Sequence, residues 1–259
     1  MSHPLVPAPR AAGRPLVLGH RGASALAPEN TLAAFQLALA GGADGVELDV
    51  WRCASGDVMV IHDEDTARTC GARLAVPEAS LAALRALDAG EWKGALYRGE
   101  RIPVLAEVLE ALPGAIVNVE LKARRGRPDV ALAASVARIV RDARAGGRVI
   151  VSSFDFGLVA AFRAAAPEVA TGLLFEAAWH WRWRVPLAAA RLRPSALHPD
   201  RRLCTPGRLA RWARQGRAIN AWTVDRPAEL ERLCAGGVAA VICNDPAAAR
   251  AVVRRATGR

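Results

Sequence analysis

VELDVWRCASGDVMVIHD, residues 46–63, holds two strand-like runs with almost nothing between them. A parallel crossover needs a dozen or more residues, so two strands this close must form an antiparallel hairpin. That reading decides the architecture. Strand-like runs recur at 16–19, 45–50, 58–62, 115–121, 148–152, 169–175, 195–198, 218–224 and 239–243, with alanine- and leucine-rich amphipathic segments between most of them. Alternation of this kind means a parallel sheet with helical crossovers. Nine runs are one too many for an eightfold barrel. Removing the hairpin's return strand leaves eight, and the expected fold is a (β/α)8 TIM-type barrel with a β-hairpin extension after strand 2. A doubly wound open sheet is the alternative, but no Gly-rich dinucleotide loop follows the first strand. Taking Ser55-Gly56 as a two-residue turn pairs Ala54 with Asp57 and sets Asp49 opposite His62, so that both share one face of the ribbon.

The chain has 259 residues and is 52% hydrophobic, enough to bury a large core. The segment 1–14 has no long apolar run and is rich in Pro, Ala and Gly. It reads as a flexible tail, neither signal peptide nor membrane span, ahead of one barrel domain over 15–259. The cysteines (Cys53, Cys70, Cys204, Cys234, Cys243) are odd in number and contain no CxxC pair, which fits a reduced, cytoplasmic setting. Lysine stands only at Lys93 and Lys122, so the formal net charge of +10 is almost all arginine. Spread along an alanine-rich chain, these arginines look like a coding bias as much as a nucleic-acid footprint. The one cluster with aromatics is WHWRWRVPLAAARLRPS, 179–195. It is read as an exposed helix face, or a loop whose tryptophans pack locally, in preference to a lipid-headgroup contact.

Active sites of such barrels lie at the C-terminal ends of the strands. There the sequence puts His20-Arg21, Glu47 with Asp49, His62-Asp63, and Glu120 with Lys122. Strand residues two apart share a face, so each acidic or mixed pair points one way while Leu48 and Leu121 face the helices. Three carboxylates in one barrel mouth repel each other and call for a cation. All-oxygen ligation by Glu47, Asp49 and Glu120 favours one hard divalent ion, Mg²⁺ or Ca²⁺. Arg21 and Lys122 suit a phosphoryl group, and two histidines suit paired proton transfer near neutral pH. Each piece alone has an ordinary structural explanation. Together at successive strand ends they assemble metal-assisted phosphodiester cleavage, since burying this much charge without a ligand is costly.

GHRG…APENTLAAF, GADGVELDV, GDVMVIHD, NVELK, SSF, HP and AWTV occur here in the order found in glycerophosphodiester phosphodiesterases. The chain resembles that family from first strand to last, and most closely its small bacterial cytoplasmic type. The resemblance implies a TIM-like barrel that hydrolyses glycerophosphodiesters to sn-glycerol 3-phosphate and an alcohol. It implies that Glu47, Asp49 and Glu120 hold the divalent cation, that His20 and His62 act as acid and base, and that Arg21 contacts phosphate. It adds Glu29 as an outer-shell carboxylate, and Lys122 and Trp222 as substrate-pocket residues. Two positions depart from the family's pattern: Asp225 stands where Asn is frequent, and Cys243 where Thr is frequent. The insertion at 63–101 is short and looks unremarkable, leaving an open mouth.

The competing readings are a lysophospholipase D or cyclising phosphodiesterase on the same scaffold, and a non-catalytic barrel that binds polyanions. The paired histidines oppose the last, because a binding module needs no proton shuttle. The expected partner is a small-molecule glycerophosphodiester, with no nucleic acid and no stable membrane insertion. No sequence feature specifies an oligomeric state.

Overall fold

The computed structural model describes residues 14–124, 127–177 and 181–258. The tail expected over 1–14 lies outside them except for Arg14, which is already tied down: its guanidinium pairs with Asp44 at 2.9 Å. Asp44 also accepts from the Val17 N–H and from Arg250. This cluster ties the start of the first strand and the last helix to the turn before the second strand.

The first strand, β1 (Leu16–His20), is followed by α1 (Leu32–Ala40). The connecting turn takes Arg21, Gly22 and Asn30 into positive φ. Gly22 is required there, because a Cβ would come within 2.6 Å of the Ala34 backbone. Thr31 caps α1, its hydroxyl accepting from Ala34 N–H. Next comes the hairpin of β2 (Gly45–Arg52) and β3 (Val58–Val60), whose strands are antiparallel. The insertion follows, with α2 (Ala67–Cys70), α3 (Leu81–Arg85) and short 3-10 turns. From there helix and strand alternate: α4 (Leu105–Ala111), β4 (Ile116–Leu121), α5 (Val130–Asp142), β5 (Val149–Ser153), α6 (Phe156–Ala165), β6 (Ala170–Phe175), α7 (Trp181–Leu192), β7 (Ala196–Pro199), α8 (Pro206–Arg214), β8 (Ala218–Ala221), α9 (Pro227–Ala235), β9 (Ala240–Cys243) and α10 (Pro246–Thr257).

β1 pairs in parallel with both β2 and β9, which closes eight strands into a barrel and leaves β3 outside it. The expected (β/α)8 barrel with its hairpin extension is the fold. Two large apolar clusters fill the space between sheet and helices: Leu48 and Leu121 pack with Phe35 and Val136 in one, Leu173 and Trp212 sit in the other. Inside the barrel, Leu18 and Ile242 pack together. Leu18 lies two residues before His20 and so shares its inward face.

The hairpin register differs from the expected one by one residue. Val50 pairs with Val60 and Arg52 with Val58, which sets Asp49 opposite Ile61, not His62. The loop therefore holds three residues, Ala54-Ser55-Gly56, with Gly56 at φ +93°. His62 still reaches the mouth because it lies just past the last ladder bond, Ile61 N–H to Asp49 C=O, where the backbone is released from the pleat.

His198 of β7 is fully buried, and its Nε2 accepts from Asn220 Nδ2 at 3.0 Å. Burial pushes its pKa down from 6.5 to about 3. The folded value lies below the unfolded one, so the unfolded chain takes up the proton first. Stability is complete above about pH 6.5 and is lost as pH falls toward about 3. Between pH 7 and pH 5 this imidazole should cost about 2 kcal/mol. Urea unfolding at both pH values should show the native chain losing that much more than a His198→Gln variant. Equal losses would mean that the ring titrates normally.

Candidate active site

The β2–β4 register sets Glu47 beside Asn118 and Asp49 beside Glu120, and β1 sets His20 beside Glu47. The three carboxylates are 4%, 1% and 7% exposed and offer oxygens within 4.8 Å of one another. Burial and the Asp49 charge push the Glu47 carboxyl above its ordinary range, and burial pushes Glu120 up as well. Asp49 moves the other way: burial opposes this, but the charges of Lys122 and Arg21 outweigh it. Lys122 Nζ donates to Glu120 at 2.7 Å and lies 2.9 Å from Asp49. One ammonium thus serves two carboxylates while Glu47 resists ionisation. A set of three buried oxygen donors with this imbalance suits a hard divalent cation.

Each histidine is held by a different kind of partner. Asn244, just after β9, accepts from His20 Nδ1 at 2.7 Å. Asp225 fixes that geometry, because its carboxylate accepts from both the backbone N–H and the Nδ2 of Asn244, each at 2.7 Å. The Asn244 oxygen is therefore the acceptor, His20 Nδ1 carries the proton, and Nε2 keeps its lone pair. Burial, then the Arg21 charge, lowers the His20 pKa. His62 Nδ1 instead meets the carboxylate of Asp63 at 2.7 Å. Burial lowers its pKa too, partly offset by the charge of Asp49.

Arg21 donates its backbone N–H to Glu47 (3.1 Å) and Nη1 to Glu29 (2.8 Å), and its Nε lies 3.3 Å from Asp49. Glu29 in turn accepts two bonds from Arg68, at 2.8 and 2.7 Å, and Arg68 Nε donates to Asp63 at 2.6 Å. A continuous chain of charges thus runs His62–Asp63–Arg68–Glu29–Arg21–Asp49. Asn30 clamps Asp49 from the side, donating to its carboxylate at 2.9 Å.

His20, Arg21, Glu47, His62, Glu120 and Lys122 line one small recess of about 70 Å³, with Asp49 buried behind them. Trp222, which donates Nε1–H to the His198 carbonyl, forms another wall and meets Phe154 edge-on at 5.5 Å. His20 and Arg21 also border an outer cavity of about 500 Å³, which Glu29, Arg68 and Trp92 help to line. Every site residue expected from the sequence is at this mouth. Asp63 and Asp225 are visible in the sequence but carry no assigned role there, and Asn30, Arg68 and Asn244 are not found as site residues at all. Asn244 was findable, since it directly follows a barrel strand, but Arg68 sits in the insertion and carries no pattern. That insertion is not the plain loop expected: Lys93 Nζ and Tyr97 OH donate to the carbonyls of Ser24 and Leu26 in the β1–α1 turn, which covers one side of the mouth.

The model of the glycerophosphoryl diester phosphodiesterase family matches residues 20–248. The chain belongs to that family. A glycerophosphodiester phosphodiesterase of Caldanaerobacter subterraneus subsp. tengcongensis is 34% identical over 246 residues, covering 93% of this chain and 98% of the relative. The solved structure of an Oleispira antarctica phosphodiesterase, in complex with the product sn-glycerol-3-phosphate, is 29% identical. It covers 93% of this chain and 98% of its own, with a TM-score of 0.81. A glycerophosphodiester phosphodiesterase structure from Agrobacterium tumefaciens is 28% identical, covers 91% and 99%, and has a TM-score of 0.79. This member of the family is an enzyme, a phosphodiesterase. Among the described residues no helix is long and apolar enough to cross a membrane.

Proposed function

We propose that this chain hydrolyses glycerophosphodiesters to sn-glycerol 3-phosphate and an alcohol, using one divalent cation, with His20 and His62 moving the protons. The observation that carries the reading is the convergence of three buried carboxylates, two histidines, Arg21 and Lys122 on one recess. The Oleispira relative's bound product supports the glycerol phosphate half.

Glu47, Asp49 and Glu120 would hold the ion, with Glu29 supporting them through Arg21. When bound, Mg²⁺ or Ca²⁺ supplies a Lewis acid for a phosphoryl oxygen. Arg21 and Lys122 bind the phosphate, Arg21 as a fork and Lys122 as a point charge. Trp222 forms a wall of the substrate pocket. The small inner recess suits the phosphoryl group, and the larger outer cavity takes the alcohol.

The two histidines differ in what stabilises their charged forms. His20 leans on a neutral amide beside Arg21, which disfavours an imidazolium, so it rests neutral with Nε2 ready to accept. It takes the proton of the attacking hydroxyl, either water or the glycerol 2-hydroxyl. His62 leans on a carboxylate, which offsets part of the burial that lowers its pKa and steadies an imidazolium better than an amide does, so it donates to the departing oxygen as the P–O bond breaks. Attack by the 2-hydroxyl gives a cyclic phosphate that water then opens.

Residues 15–259 act as one catalytic unit in this reading. The five unpaired thiols, three of them buried, suit a reducing compartment, and we assign the enzyme to the cytoplasm.

A coupled assay for glycerol 3-phosphate across a panel of glycerophosphodiesters is the test. Release is expected from glycerophosphocholine and glycerophosphoethanolamine. EDTA should abolish it, and Mg²⁺ or Ca²⁺ should restore it. Absence of glycerol 3-phosphate from every diester, or full activity in EDTA, would overturn the reading.

A further inference from the structure

We propose that the mouth of the barrel docks on an anionic phospholipid surface, with α7 as the main contact. The proposal concerns a surface and does not rest on the substrate assignment.

The distribution of exposed apolar side chains motivates it. Leu26, Trp92, Leu96, Phe154, Trp183 and Leu187 are all large, apolar and exposed. Leu26, Trp92, Leu96, Phe154 and Trp183 lie in loops or first helical turns after strand ends, or in the insertion packed beside the β1–α1 turn, whereas Leu187, like the exposed Leu37 of α1, lies further along its helix. The rim around the catalytic recess is thus apolar where a monomer's surface is ordinarily polar.

α7 is the strongest case. Val185 and Ala189 are its buried face. Trp183 and Leu187, one turn apart, point the opposite way and are 55% and 65% exposed. Of the two readings of this stretch, the exposed helix face is the one found, and Trp183 does not pack locally. The helix starts past the end of β6, so Trp183 in its first turn stands near the mouth, with Leu187 one turn further along the outer wall.

Charge selects the occupant. α7 and α8 together carry Arg182, Arg184, Arg191, Arg208, Arg211 and Arg214 and no acidic residue. Arg182, Arg208 and Arg211 line a cleft of about 410 Å³ between the two helices. An exposed tryptophan and leucine flanked by arginines, with a cationic cleft on the neighbouring side of the helix, match an interface of acyl chains and anionic headgroups. Docked this way, the rim brings the recess up to the headgroup layer.

Cosedimentation of the full chain with vesicles tests this. Vesicles of phosphatidylglycerol and phosphatidylcholine should bind it, and vesicles of phosphatidylcholine alone should not. Raising the salt should release it, because exposed charges are screened. Trp183→Ser/Leu187→Ser and Arg182→Glu/Arg184→Glu should each weaken binding at least about 10-fold. Both variants should keep their circular dichroism and their turnover of a soluble glycerophosphodiester within about twofold, which shows that they fold. No binding to anionic vesicles, or binding untouched by both variants, overturns the proposal. So does a native dimer that Trp183→Ser/Leu187→Ser turns into a monomer, since the face would then join two copies of the chain. Failure of the soluble assay with vesicle binding intact would count against the substrate assignment alone.

Discussion

Replacing His62 by Ala should lower turnover of glycerophosphocholine by about 10²–10⁴-fold, while a p-nitrophenyl ester of glycerol phosphate should lose less than about 10-fold. The difference lies in the leaving group. An alkoxide leaves badly and needs a proton as the P–O bond breaks, whereas p-nitrophenolate departs without one. His20→Ala should behave differently: the attacking hydroxyl must lose its proton with either substrate, so both rates should fall by a similar factor. The assignment follows from partners present in the fold, the Asp63 carboxylate on His62 and the Asn244 amide oxygen on His20. Steady-state kinetics of both variants on both substrates is the measurement. The reverse pattern would exchange the roles. Equal losses on both substrates for both variants would remove the division of labour and leave the cation as the principal catalyst.

The second large effect belongs to Glu47. A residue that merely hydrogen-bonds a metal ligand costs about 10–100-fold in affinity when lost, so Glu47→Gln should cost at least that in Mg²⁺ or Ca²⁺ binding. Activity should fall with it. Stability provides an independent readout. Without metal, burial and the Asp49 charge oppose ionisation of Glu47, so its replacement by a neutral amide should leave the metal-free chain no less stable. Cation-dependent stabilisation should shrink by about 2.7 kcal/mol for a 100-fold weaker site. Thermal unfolding against cation concentration measures both. An unchanged metal titration in Glu47→Gln, or in Glu47→Ala, would contradict the ligand assignment.

What the sequence made legible has a common physical basis. Period-two alternation in VELDV and NVELK marks which carboxylates share a face, because a strand's side chains alternate whatever surrounds them. The short link between two runs forces a hairpin, and the hairpin forces the strand count. The register error at Asp49 shows where such reasoning stops. Two- and three-residue hairpin loops can both end in glycine, so Gly56 alone does not choose between them. Asn30, Arg68 and Asn244 stayed hidden for a related reason. Each acts on a residue far along the chain, Asn244 on His20 for instance, so its role exists only once the barrel has closed. Arg182 of the aromatic cluster and Arg208 and Arg211 of α8 lie far apart in sequence and meet only across the cleft between α7 and α8.

The excursion between β3 and α4 constrains how this scaffold can diversify. It supplies Asp63 to one histidine and Arg68 to Glu29, and it is bolted to the β1–α1 turn by Lys93 and Tyr97. It is therefore part of the frame and not interchangeable cargo. Exchanging it with the corresponding stretch of a relative, as one would trade binding loops on a neutral scaffold, would also exchange the supports of His62 and of the Glu29–Arg21 pair. Altered alcohol preference and altered chemistry would then be inherited together. Engineering that aims at the first alone has to leave positions 63 and 68 in place and work on Trp92 and its neighbours at the outer wall.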